Sequence, residues 1–158
     1  MDFNLEGLGI NAFALAGTYT AKSQLGGTLT NTGGTTNTFT STYDTDYDLT
    51  PSLATIVGTY SGEAATVDSG PEAAIVTIAG GGAITGTSAS GCNFTGTVST
   101  HTKGNVYDVS VTFNGGVCTN GTSTVTGVAY FIAAQKEFVS TALNSGRTNG
   151  FLFLGVKP

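Results

Sequence analysis

Asp44, Asp46 and Asp48 place three carboxylates at alternate positions, the opening of a loop that wraps a calcium ion in oxygen ligands. The pattern departs where calcium binding needs it most. Leu49 stands in place of the turn glycine, and Thr55 in place of a bidentate glutamate. The trio is a weak metal candidate; its other reading is an acidic solvated loop before a helical turn, whose N-terminus the negative charge favours. His101, the sole histidine, lies in the turn-like run Ser99-Thr100-His101-Thr102-Lys103-Gly104. Neither a Gly-x-Ser-x-Gly elbow nor a Cys-His pairing accompanies it, so no catalytic residue is assigned and the chain is read as no enzyme. Glu63, Glu72, Asp108 and Glu137 could in principle supply the carboxylate pair of a glycosidase. Such enzymes also need aromatic platforms, and this chain has no Trp and six Tyr. Two distant cysteines and one histidine argue against a structural metal site, and no motif calls for a cofactor. Arg147, an isolated cation in a turn, is expected to stack on Tyr19 or Tyr60 in a structural role.

Composition narrows the class. Charged residues make up 9% of the chain, Gly numbers 24, and Ser plus Thr supply about a quarter of all positions. Threonine suits a pleated surface and glycine supplies turns, a balance found in envelope and secreted β-proteins. The formal charge of −5 and the scatter of Lys22, Lys103, Lys136, Arg147 and Lys157 exclude the basic patch that a nucleic-acid partner requires. The longest apolar run, Phe151 to Val156, is far short of the roughly 20 residues of a transmembrane helix. No basic and apolar leader precedes Asp2, which fits either a cytoplasmic chain or one from which a leader has been trimmed; the Thr/Gly bias and the cysteines favour the second.

Positioning falls to strands. Glycine clusters and Asn-Gly pairs divide the chain into segments at hairpin spacing. Strands are predicted over 15–22, 25–30, 38–43, 56–62, 73–79, 83–88, 92–100, 105–113, 122–133, 137–143 and 150–156. Thr50 as N-cap and Pro51 at the first helical position predict one helical turn near 51–55. The stretch 4–14 is left open as helical, extended or disordered, and 1–14 as an N-terminal arm. The fold class is all-β and antiparallel, a small β-barrel or a two-sheet β-sandwich, in one domain over 1–158. Consecutive short turns favour the barrel.

The best specified unit is the hairpin of 92–100 and 105–113, where Phe94, Val98, Tyr107, Val109, Val111 and Phe113 alternate with polar residues. A register opposing Cys92 to Phe113 brings Cys118 within reach of Cys92, leaving two readings: a disulfide or two buried thiols. Gly17-Thr18-Tyr19 recurs as Gly58-Thr59-Tyr60, either a duplicated strand unit or a coincidence in a Thr/Gly-rich chain. The segments holding Val128 and Tyr130, and Phe151 and Phe153, are apolar on both faces. These four residues are therefore candidate interface positions, for a homodimer seam or a central sheet position.

Several pieces resemble uncharacterised β-rich proteins of proteobacterial cell envelopes, many of them predicted lipoproteins. They are Gly58-Thr59-Tyr60-Ser61-Gly62, Gly82-Ala83-Ile84-Thr85-Gly86, Gly91-Cys92-Asn93-Phe94-Thr95-Gly96, Asn105-Val106-Tyr107-Asp108-Val109, Gly127-Val128-Ala129-Tyr130, the Cys118 region, and Arg147 with Gly150-Phe151. The resemblance implies a periplasmic or outer-membrane and cell-surface location and a paired Cys92 and Cys118. It implies no activity, and no lipobox cysteine is present. The expected function is a non-enzymatic envelope module that binds a protein partner or an apolar small molecule. The alternative is a structural surface-assembly subunit, adhesin-like or fibre-like.

Overall fold

A computed structural model of the chain describes Phe3 and residues 12–158. The expectations for 4–11, and with them most of the proposed arm, lie outside the described residues; Phe13 and Ala14 already belong to a strand. Three strands, β1 (Phe13–Thr20), β2 (Gln24–Asn31) and β3 (Thr36–Thr42), form an antiparallel sheet in sequence order. A 3-10 turn, η1 (Thr45–Asp48), and one α-helical turn, α1 (Leu53–Ile56), follow. The helical turn begins later than predicted, with Ser52 rather than Thr50 at the N-cap position. Eight further strands then close into a barrel: β4 (Gly58–Ala65), β5 (Glu72–Ile78), β6 (Ala83–Ser88), β7 (Asn93–Thr100), β8 (Tyr107–Phe113), β9 (Thr124–Ile132), β10 (Glu137–Leu143) and β11 (Gly150–Val156).

The barrel runs up and down in sequence order, and β11 pairs with β4 to remove both edges. The architecture is therefore all-β and antiparallel, in the barrel form. All eleven predicted strands are present, with ends moved by a few residues. In the β7–β8 hairpin Phe113 opposes Phe94 rather than Cys92. That shift of two leaves every side chain on its expected face, because the side-chain period of a strand is two.

Alternation sorts the wall. Tyr60, Val76, Ile78, Ile84, Phe94, Val98, Tyr107, Val109, Val111, Phe113, Val125, Phe138, Phe151 and Phe153 point inward and are buried. An eight-stranded barrel has an interior that side chains can fill, and these residues fill it. Outward, Thr59, Thr77, Thr85, Thr95, Thr112 and Thr124 stand directly opposite one another across β4 to β9. Their hydroxyls bond across strands at the two ends of the row, Thr59 to Thr77 at 3.0 Å and Thr112 to Thr124 at 2.8 Å. An apolar interior with a hydroxyl-lined exterior is the reverse of the apolar-out pattern of barrels that span lipid. No described helix is long and apolar enough to cross a membrane.

One end of the barrel is plugged by α1. Its last residue, Ile56, is fully buried, the Tyr60 hydroxyl donates to the Ile56 carbonyl at 2.7 Å, and the Tyr107 hydroxyl donates to the Ser52 carbonyl at 3.1 Å. Lys157 Nζ donates to the carbonyls of Thr55 and Val57 and sits over the rings of Phe131 and Tyr60. The cation that stacks on Tyr60 is thus Lys157, not Arg147, which lies in the β10–β11 turn. Burial pushes the Tyr60 phenol up to about 12 from an ordinary value of 10.0. The unfolded chain therefore loses this proton first, so the stability that Tyr60 supplies is complete below about pH 10 and is lost as pH rises to about 12. Urea titrations across that range should show a loss of about 2–3 kcal/mol in the native protein. Tyr60→Phe should be less stable near neutrality, because it orphans the buried Ile56 carbonyl, and should have a flatter alkaline limb.

Candidate functional site: the open mouth of the barrel

At the end opposite α1 no described helix enters the barrel, and the connections after β4 and β8 fold over part of it, with Val67 and Asn120 buried. There β5, β7 and β11 begin and β4, β6 and β8 end, and their inward side chains surround a cavity of about 240 Å³. Its floor is three phenylalanines from strands distant in sequence. Phe94 and Phe151 have ring centroids 5.3 Å apart at 61°, Phe113 and Phe151 5.9 Å apart at 69°, and Phe94 and Phe113 5.8 Å apart. Edge-to-face contacts of this kind contribute about 0.5–1.5 kcal/mol each beyond area burial, so the floor is preorganised. Each ring is inward because it falls on the same alternation as the rest of the core.

The rim is hydroxyl-rich. Glu72, at the start of β5, accepts from the Ser90 backbone N–H at 2.8 Å and from Ser90 Oγ at 3.2 Å, and Ser88 and Ser90 share a hydroxyl contact at 3.0 Å. On the facing side Thr66 contacts Ser69 at 2.9 Å and Thr119 at 3.1 Å. Cys92, which lines the cavity, is joined by a disulfide to Cys118 in the connection between β8 and β9. The bridge ties one wall of the mouth to the strand that supplies Phe94. Among the described residues no lysine, arginine or histidine lines the cavity, and the one carboxylate that does, Glu72, is engaged by Ser90. An aromatic floor under neutral hydroxyls suits an uncharged, largely apolar occupant with one or two polar atoms at the rim. The volume falls below the 300–1,000 Å³ of sites for drug-sized ligands, so the occupant is small.

The other candidates go elsewhere. Asp44 caps η1 by accepting from the Asp46 N–H at 2.9 Å, and Asp48 pairs with Lys22 at 3.0 and 3.1 Å. Asp48 also holds the Lys22 ammonium above its ordinary pKa by hydrogen bonding and charge. Among the described residues no three His, Cys, Asp or Glu side chains converge as a metal site. His101 Nδ1 lies 2.8 Å from Asp108 Oδ1 in a solvent-exposed pair on the outer wall. Among the described residues no hydroxyl hydrogen-bonds to its other ring nitrogen. Val128 and Tyr130 are exposed on the outer wall of β9. Phe151 and Phe153 are not on that wall: both are buried inside, and Leu152 and Leu154 take the outward positions of β11.

Sequence reasoning missed the mouth. Its floor draws on residues 94, 113 and 151, and its rim on 66, 72, 90 and 119. The inward phase of Phe94 and Phe113 was visible, but no local spacing signals that Phe151 joins them. Compared with protein-family models and with curated proteins, the chain has no match in either.

Proposed function

We propose that this protein is a non-enzymatic binding module whose barrel mouth holds a small, uncharged, largely apolar molecule. The observation that carries the reading is the asymmetry of the barrel ends: α1 and two buried tyrosines plug one, while at the other a floor of three phenylalanines underlies a cavity of about 240 Å³. A preorganised apolar concavity with few polar groups at its rim is the usual form of a small-molecule site. The Cys92–Cys118 disulfide favours an oxidising compartment, and the resemblance to proteobacterial envelope proteins favours the periplasm or the cell surface.

Titration with the neutral fluorophore N-phenyl-1-naphthylamine tests the reading. Saturable enhancement at one probe per barrel is expected, weakened about tenfold or more by Thr119→Phe, which narrows the mouth from an exposed rim position. Non-saturable binding, or binding indifferent to that substitution, would remove the mouth as the site.

A further inference from the structure

The sheet of β1, β2 and β3 is built like a piece of barrel wall whose inner side, among the described residues, is met only at the Tyr19 and Leu25 end, by Tyr43 and Tyr47. On one face the register aligns Leu15 with Leu29, Gly17 with Gly27 and Phe39, and Tyr19 with Leu25. The other face carries Thr18, Thr28, Thr38 and Thr40, as the barrel exterior does. Leu15 is 67% exposed and Tyr19 78% exposed, although Tyr60, at the matching place in the second Gly-Thr-Tyr, is fully buried.

The curvature matches too. A methyl group on Gly62, Gly96 or Gly127, all inward in the barrel, would overlap a neighbouring carbonyl oxygen, that of the residue just before its cross-strand partner. Gly17 stands in the same relation to the Gly26 oxygen, which a methyl group there would meet at 2.8 Å, and Gly17 and Gly27 lie on the apolar face. That face is therefore the concave one.

Its edges are bare. Among the described residues neither β1 nor β3 has a second neighbour. Edge strands are ordinarily guarded by charges, proline or bulges, yet these three strands contain no Asp, Glu, Lys, Arg or Pro. The chain's net charge of −5 thus places no like charge within the strands themselves to oppose a second copy.

We infer that β1–β3 is a self-association element. Two copies bring their concave apolar faces together about a two-fold axis, with β1 antiparallel to β1 and β3 antiparallel to β3, closing six strands into a second barrel. This goes beyond the mouth and does not depend on its ligand.

Sedimentation equilibrium of the full chain from low to high micromolar concentration is the test. A concentration-dependent dimer is expected. Leu15→Lys and, separately, Tyr19→Lys should each weaken it at least about tenfold by placing charges on the shared face, with the thermal transition of the barrel unchanged. Val128→Lys, on the outer wall of β9, should leave the dimer intact. A monomer at every concentration, as would follow if another segment of the same chain covered the face, overturns the inference. So does a dimer that survives both sheet variants, or one broken by Val128→Lys.

Discussion

Gly62→Ala is expected to destabilise the protein by at least about 4 kcal/mol, more than most single methyl additions to a core. The physical reason is local. Gly62 lies directly opposite Gly155 in the β4–β11 pair, the one pairing that closes the barrel, and the new methyl would overlap the Leu154 carbonyl oxygen and approach the Gly155 Cα. The obstacle is backbone on the neighbouring strand, so no side-chain rotation relieves it. Relief comes only from parting the seam, which strips β4 and β11 of their shared ladder and exposes two edges to aggregation. Gly81→Ala, in the β5–β6 turn with open space around it, is the control and should stay within about 0.5 kcal/mol of the native protein. Urea unfolding followed by circular dichroism measures both. Equal midpoints for the two variants would mean that the seam yields more easily than its geometry implies.

Replacing both cysteines, Cys92→Ala with Cys118→Ala, should lower stability by about 3.5 kcal/mol, the loop-closure value for the 26-residue separation. Both cysteines are buried, and the connection carrying Cys118 is also held by turn bonds of its own, by Thr119 to Thr66 at 3.1 Å and by Asn120 Nδ2 donating to the Gly150 carbonyl at 3.1 Å, so local order survives while the unfolded chain is freed. The loss should appear as a lower urea midpoint together with a steeper dependence on urea, because the unfolded chain expands once the cross-link is gone. Binding of the neutral fluorophore should weaken in parallel, since Cys92 forms part of the mouth. A variant within about 1 kcal/mol of the native protein would show that the bridge constrains the unfolded chain little.

Much of this architecture was legible without coordinates, for a local reason. Strand positions follow from period-two alternation and from glycine punctuation, both properties of a few neighbouring residues, and the β7–β8 hairpin kept its faces despite a shift of two in its register. The pairing of Cys92 with Cys118 was legible as one of two alternatives, because a hairpin brings its ends together. The helical turn was legible in kind but not in its start: Ser52 stands at the N-cap position without a side-chain capping hydrogen bond, so the cap chemistry by which a sequence marks a helix start does not mark this one.

Other features depend on residues far apart in the chain. Phe151 and Phe153 fit either an interface or a central sheet position by sequence, because β11 is apolar on both faces and alternation alone does not say which parity faces inward; the structure buries both rings inside the barrel. The two Gly-Thr-Tyr runs make the same point: identical local sequence leaves Tyr19 in solvent and Tyr60 in the core. What the amino-acid sequence by itself determined is the all-β class, the strand positions and the two-sided character of each strand. Whether β11 meets β4, which aromatic rings converge at the mouth and which apolar face stays uncovered were decided by tertiary structure. Alternation is a property of the single backbone, whereas burial depends on which distant strands close over it.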